Sequence, residues 1–496
     1  MPPSYEEKIP AGHLVRHVNE AIEALDLEIL LSQYEGGGTS SYHPKMMLKV
    51  LVYAYCKKIY TSRKIAEALE ENIHFMWLSG EQTPDFRTLN HFRGKRMKGV
   101  IDEVFTAVLE QLVKKKVVKL ENYFVDGSKI EANANKHKVV WEKRRARYEG
   151  QVRKQIKGLL EVIEAENEKE QAEYGDKDLE SKGGGGNGEE TAQALRETVK
   201  ALNERLKGKK SKAMKKLEKD CLPRLEKYEE QKRVLAGRNS YSKTDPQATC
   251  MRMKEDRGAE KAWPKPAYNV QVGTEGQFIV GYSVHNHSSD PVCLIPHLKK
   301  LKHQPKRIIA DAAYGSEENY AHLKKHKLGN YLKYNTFYQD THHYRNPDII
   351  RKLSFRADRF AYDEKNDEFI CPNNQRLRYL YTSKHVTDNG YESERRHYEC
   401  QTCMDCPLRR ECTKGKGNRR IQVSFKLLEY RRQARKNLTT KRGKALRKLR
   451  PVEVETVFGN IKHNMRFRRF HLRGVEKVNI EWGLVCIAHN IRKLAS

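Results

Sequence analysis

Apolar positions divide the chain into stretches of different period. From residue 1 to about 118 they recur at helical spacing. The stretch MMLKVLVYAYCKK opens after His43-Pro44, and SRKIAEALEEN follows with Ser62 in capping position. Thr83-Pro84-Asp85 then breaks the chain before DFRTLNHFRGKRM. The pattern predicts an all-α N-terminal domain. The basic residues Arg87, Arg93, Lys95 and Arg96 on its last short helices fit a helix-turn-helix as well as a plain packing domain. At residue 120 the period changes. Tyr123, Phe124 and Val125 run into Asp126 and Gly127, which predicts a buried strand delivering a carboxylate at its C-terminal end. AYNVQVGTEGQFIVGYSV reads as a hairpin turning at Gly-Thr-Glu-Gly, followed by a helix around PVCLIPHLKKL. Ile308, Ile309 and Ala310 then run into Asp311, and YLKYN (331–335) predicts another strand.

Residues 139–238 are charged and poor in aromatics. Val152, Ile156, Leu159 and Ile163 step by 4, 3 and 4, as do Leu195, Val199, Leu202 and Leu206. That is the spacing of a coiled-coil seam. The run from Gly183 to Gly188 between them cannot hold a helix. Two helices folded back on each other with a flexible tip are expected, as an inserted arm or an oligomerisation element.

Charge narrows the partner. The 496 residues carry 96 Lys and Arg against 65 Asp and Glu, a net +31. Residues 401–450 hold 17 Lys/Arg against 3 Asp/Glu, and residues 451–496 hold 8 against 4, so the last 96 residues contribute +18. A field of that size attracts a polyanion and releases its counterions, which points to DNA or RNA. No apolar run approaches the roughly 20 residues that span a membrane. MPPSYEEKIPAGH has no apolar core of a secretory signal, and the ten cysteines show no disulfide framework, so a reducing cytosol is expected.

Asp126 and Asp311 share a context, each ending an apolar run. Neighbouring parallel strands would bring them together, and two nearby carboxylates favour a divalent cation. Hard oxygen donors suit Mg²⁺. In VEVETVFGNIKHNMRFRRF, Glu455 and Lys462 lie seven residues apart, close to two helical turns, so both face one way. Glu453 is about 200° away around such a helix. Cys400, Cys403, Cys406 and Cys412 form C-x2-C-x2-C-x5-C, with Cys371 as a spare candidate. Four thiolates suit tetrahedral Zn²⁺; an iron–sulfur cluster and free reduced thiols are the alternatives. Arg409 and Arg410 beside the cysteines, and Arg466, Arg468, Arg469 and Arg473 after Lys462, are candidate phosphate contacts.

YFVDGSKIEANANK, ADAAYGSEEN and VETVFGNIK followed by RRFHLRG resemble the three signature blocks of bacterial insertion-sequence transposases of the DDE type, closest to the insertion-sequence eleven-eighty-two group. The N-terminal HPKMMLKVLVYAYCKKIYTSRKIAEAL and the cysteine cluster resemble that group as well. The resemblance implies an α+β fold with an RNase H-like core and puts the acids on Asp126, Asp311 and Glu455, with Lys462 as the basic residue. The expected domains are 1–118 (helical), 119–138 with 239–360 (first part of the core), 139–238 (helical-hairpin insertion), 361–424 (Cys-rich basic module) and 425–496 (basic segment and final catalytic helix).

The implied function is Mg²⁺-dependent cleavage and strand transfer of the element's own DNA by two-metal chemistry, in which Mn²⁺ could substitute. The implied partners are terminal inverted repeats and target DNA. A homodimer is expected because two ends must be held together, in the bacterial cytoplasm at the nucleoid. A DNA-binding protein of transposase descent without catalysis, and an RNase H-like nuclease that cuts without joining, are the alternatives.

Overall fold

The computed structural model describes residues 4–31, 42–174, 191–205, 212–256 and 263–496. The glycine tip expected at 183–188, Leu206 and the side chain of Leu202 lie outside the described residues. Contacts divide the chain into two units: Met1–Ile130 with Asn269–Leu472 and Glu476–Ser496, and Glu131–Tyr268 with Arg473–Val475.

In the first unit, the elements described up to Lys114 are all helical. Pro44–Cys56 is buried on every face, so it forms a central helix rather than an amphipathic one. Leu14–Glu23, Leu27–Leu31, Ser62–Glu71 and Ile73–Ser79 pack against it. The helix Val475–Leu494, buried from Ile480 to Ile491, returns to the same core. Its Ala488 carbonyl accepts from Cys56 Sγ at 3.6 Å and Arg492 donates to the Cys56 carbonyl at 2.5 Å. Arg93 does not face solvent. It is 3% exposed and donates to Tyr55 Oη (3.1 Å), the Tyr60 carbonyl (2.7 Å) and Ser62 Oγ (3.2 Å).

The described strands are β1 (Asn122–Glu131), β2 (Val139–Trp141), β3 (Ser240–Ser242), β4 (Thr249–Met251), β5 (Lys265–Glu275), β6 (Phe278–His285), β7 (Arg307–Ala310), β8 (Gly329–Leu332), β9 (Ala361–Asp363), β10 (Glu368–Ile370), β11 (Arg376–Val386), β12 (Glu392–Cys400) and β13 (Arg420–Val423). The main sheet has six strands in the order β4-β5-β1-β7-β8, with β6 also paired to β5. Strands β5 and β6 pair antiparallel, and β7 is parallel to both β1 and β8. Thr274 Oγ1 donates to the Phe124 carbonyl and Ala132 N to the Pro266 carbonyl, so residue order descends along β5 as it ascends along β1, and the two are antiparallel. The β5–β6 turn is one pair later than expected. Gly276 and Gln277 both have positive φ (61° and 62°), as a two-residue type I′ turn requires.

One feature corrects the expected strand limits. β1 does not stop at Asp126 but continues to Glu131, burying Ser128 and Lys129. The polar Gly-Ser-Lys run looks like a turn in sequence; pairing with β5 keeps it extended. At the far edge, β6 is closed by a side chain: Asn490 Oδ1 accepts from Ile279 N and Asn490 Nδ2 donates to the Ile279 carbonyl, both at 2.8 Å.

A second sheet, antiparallel β13-β12-β11-β10-β9, holds a core of Phe360, Phe369, Leu377, Tyr398 and Ile421.

In the second unit the expected pair of helices is three-layered. Glu142–Tyr174 packs Val152, Ile156 and Ile163 in one cluster with Leu195 and Val199 of Ala192–Arg205. The cluster also contains Met214, Leu217, Cys221, Leu222 and Leu225 from the helical segment Lys212–Leu235. The third layer completes a core that a two-helix seam leaves open.

Candidate active site

Strand register brings the first two acids together. β1 pairs with β7 as Asn122 with Arg307, Tyr123 with Ile308 and Phe124 with Ile309. Continued two residues, the same offset sets Asp126 beside Asp311, directly after the last residue of β7. Each carboxylate is fixed by a backbone amide: Asp126 Oδ1 accepts from Gly127 N and Asp311 Oδ1 from Ala313 N, both at 2.9 Å. Asp126 is buried; the Asp311 side chain is 38% exposed and borders solvent.

The third acid arrives on the helical run from Lys441 to Asn464, which is not regular. Lys441–Arg450 is α-helical, Pro451–Glu455 is π-helical, Thr456–Gly459 is α-helical and Asn460–Asn464 is π-helical. Pro451 has no amide to donate and its ring crowds the preceding turn, which a wider turn relieves. The widening sets Arg450 and Glu455, five apart, one above the other, and Arg450 Nη1 lies 3.4 Å from Glu455 Oε1. The other guanidinium nitrogen lies 3.4 Å from Asp126 Oδ2 and 3.7 Å from Asp311 Oδ2. One guanidinium therefore contacts all three predicted acids.

The other carboxylates near this helix are engaged elsewhere. Glu453 is buried and accepts from Gln277 N at 2.7 Å. Glu481 is fully buried and accepts from the amides of His471 and Leu472. Lys462 is 8% exposed and its Nζ donates to the Lys129 carbonyl on β1 at 3.2 Å, so it faces the strand that carries Asp126.

A fourth acid was not legible in sequence. Asp290 pairs with Lys129 at 2.9 Å and accepts from Asn269 at 2.7 Å. A Cβ on Gly127 would lie 2.2 Å from Gln271 Nε2 and 2.8 Å from Asp290 Oδ1, so only glycine fits beside Asp126. Tyr314 is fully buried and donates to Gln271; burial first, then the charges of Asp126, Asp290 and Asp311, hold its phenol well above the usual range. It is a protonated donor under this cluster of acids.

Among the described residues, no three His, Cys, Asp or Glu side chains are gathered closely enough to hold an ion as they lie. The acids instead share the Arg450 guanidinium. Three carboxylates around one positive group are nevertheless the hard oxygen set that Mg²⁺ takes, and they fit such an ion.

Two family descriptions match the chain. Transposase DDE domain covers residues 370–495, and Transposase domain (DUF772) covers residues 3–95. Over these two segments the chain is similar to transposases. No curated protein and no solved structure matches it. The DDE match contains Glu455 and Lys462, whereas Asp126 and Asp311 lie outside both segments and reach the site through the sheet.

The other candidate residues are distributed unevenly. Arg466, Arg468, Arg469 and Arg410 are exposed. Arg468 also donates to the Lys462 carbonyl at 3.1 Å. Arg409 has an internal role, donating to the carbonyls of Cys403 (2.8 Å) and Lys416 (2.6 Å). Arg473 lies in the second unit, bonded to the Asn133 carbonyl at 2.8 Å. Cys400 and Cys403 are buried, and Cys406 and Cys412 are partly exposed. No helix among the described residues is long and apolar enough to cross a membrane.

Proposed function

We propose that this chain is a transposase that cuts and rejoins the DNA of its own insertion sequence at a site formed by Asp126, Asp311 and Glu455. The observation that carries the reading is the contact of one guanidinium with all three acids, which are 185 and 144 residues apart in sequence. A sheet antiparallel on one side and parallel on the other, with acids at two neighbouring central strands and a third on a late helix, supports an RNase H-like core. Asp126 and Asp311, held by backbone amides, form the fixed side of the site. The more exposed Glu455 closes it from the helix.

Mg²⁺ held there would supply charge stabilisation on phosphate oxygens and activate a water or a DNA 3′-hydroxyl. In each step the attacking oxygen bonds to phosphorus as a phosphorus–oxygen bond of the DNA breaks in line. Hydrolysis and strand transfer are thus the same displacement with a different nucleophile, and no covalent protein–DNA link forms. Arg450 is placed to exchange carboxylates for a phosphate oxygen when DNA enters. Exposed Arg466, Arg468 and Arg469 supply phosphate contacts that position DNA without reading its sequence.

The test is a reaction on DNA carrying the element's ends, with Mg²⁺, comparing the native chain with Glu455→Gln. Cleaved and joined products from the native chain alone are expected. Cleaved but never joined products would favour a nuclease. Equal products from both chains would remove Glu455 from the site, and DNA binding without products from either would favour a non-catalytic DNA-binding protein.

A further inference from the structure

The cysteine-rich module contains a cavity that the catalytic reading does not use. Five cysteines line it: Cys371, Cys400, Cys403, Cys406 and Cys412. Its free space is about 20 Å³, enough for one water-sized object and hence for one ion. The cavity lies at one end of the second sheet. Cys371 is on the turn between β10 and β11, where its amide donates to the Gln375 carbonyl at 2.9 Å. The other four follow from the end of β12 through the short helix Arg409–Cys412.

The sulfurs differ in their surroundings. Cys403 Sγ accepts from the Arg419 amide at 3.4 Å, and Cys406 Sγ accepts from Asn373 Nδ2 at 3.5 Å. N–H donors aimed at sulfur favour thiolate and are what surrounds metal-bound cysteine. Cys412 lies in electrostatic reach of Cys371, Cys403 and Cys406. Cys400 shares the module's apolar core with Cys403 and lies against the Cys403 thiol, but it is 2% exposed, is held in strand register with Leu377, and turns its thiol as a donor toward the Thr402 carbonyl at 3.7 Å.

We propose that Cys371, Cys403, Cys406 and Cys412 hold one structural Zn²⁺, and that Cys400 is a core residue beside it. Four thiolates around one small cavity suit tetrahedral zinc. The sulfurs do not stand at bonding distance as neutral thiols; loss of their protons on binding is what would draw them together. The ion would tie the β10–β11 turn to the loop at 401–419. That loop carries exposed Arg410, Lys414 and Lys416, and Arg409 already braces it through the carbonyls of Cys403 and Lys416. The site thus orders a basic surface.

The full chain, purified under reducing conditions, should contain one zinc by elemental mass spectrometry. Cys371→Ser and Cys412→Ser should lose it, and Cys400→Ser should keep it. Cobalt titration of the chelator-treated native chain needs no variant and should give thiolate-to-cobalt charge transfer with the strong visible bands of a tetrahedral site. Absence of both zinc and cobalt bands, iron in place of zinc, or zinc lost from Cys400→Ser but kept by Cys371→Ser would overturn the assignment.

Discussion

The guanidinium of Arg450 lies 3.4 Å from the carboxylate of Asp126, and both side chains are largely buried. It also contacts Asp311 and Glu455, so one guanidinium is shared by three carboxylates. An arginine can do this where a lysine cannot, because its planar fork presents several donors at fixed angles.

Arg450→Ala should therefore increase the repulsion among the three carboxylates and lower the stability of the metal-free chain by about 1–3 kcal/mol, the cost of removing a charged partner from a buried carboxylate. Added Mg²⁺ should recover more stability in the variant than in the native chain. Thermal melts of both proteins with and without Mg²⁺ measure this; equal metal-induced shifts would mean that Arg450 and the metal do not compete for the same carboxylates.

Pro451 sets the wide turn that stacks Arg450 over Glu455. Pro451→Ala restores an amide donor and allows the α-helical ladder to continue through the segment. The variant should be equally or more stable, since proline inside a helix costs about 3 kcal/mol, yet slower in cleavage because Glu455 rotates away from Asp126 and Asp311. Melting temperature and cleavage rate should move in opposite directions. A variant that is less stable with unchanged cleavage would assign the wide turn to some other cause.

Buried His489 and half-buried His285 should make stability fall in mild acid. Burial pushes His489 and His285 down to about 4 from their ordinary 6.5. His489 bridges Asn460 and the Gln277 carbonyl, and His285 bonds Ser283 Oγ. Above pH 6.5 each is neutral in both the folded and unfolded chains. Between pH 6.5 and about 4 only the unfolded chain takes up the proton, so stability declines across that window, by up to about 3 kcal/mol per histidine. Urea midpoints measured from pH 7 to 4 should fall less steeply in His489→Gln than in the native chain, and parallel curves would show that His489 does not titrate this way.

Particular residues show how far the chain could be read in one dimension. The apolar runs before Asp126 and Asp311 announce strands because a strand in the middle of a sheet is buried on both faces. Pro44–Cys56 is legible as a helix for a similar reason. Lys129 and Ser128 were not legible as strand, because polar residues are buried there only by pairing with β5 and by the Lys129–Asp290 ion pair. Arg450 could not be singled out among 17 Lys and Arg between residues 401 and 450, since nothing in their order tells a solvated arginine from one that faces three acids. The seven-residue interval from Glu455 to Lys462 implied a regular helix; the π-helical turn that begins at Asn460 alters that spacing, and Lys462 is directed to the Lys129 carbonyl.

By itself the sequence determined the kinds of element, the acids on their apolar runs and the basic balance that calls for a polyanion, because local periodicity, side-chain type and net charge are carried by neighbours along the chain. The tertiary structure alone decided which acids meet. Asp126 stands beside Asp311 through strand register, Glu453 is withdrawn by the Gln277 amide far away in sequence, and Arg450 stands among the three carboxylates. Each of these depends on hydrogen bonds and charges between segments whose separation in sequence says nothing about their distance in space.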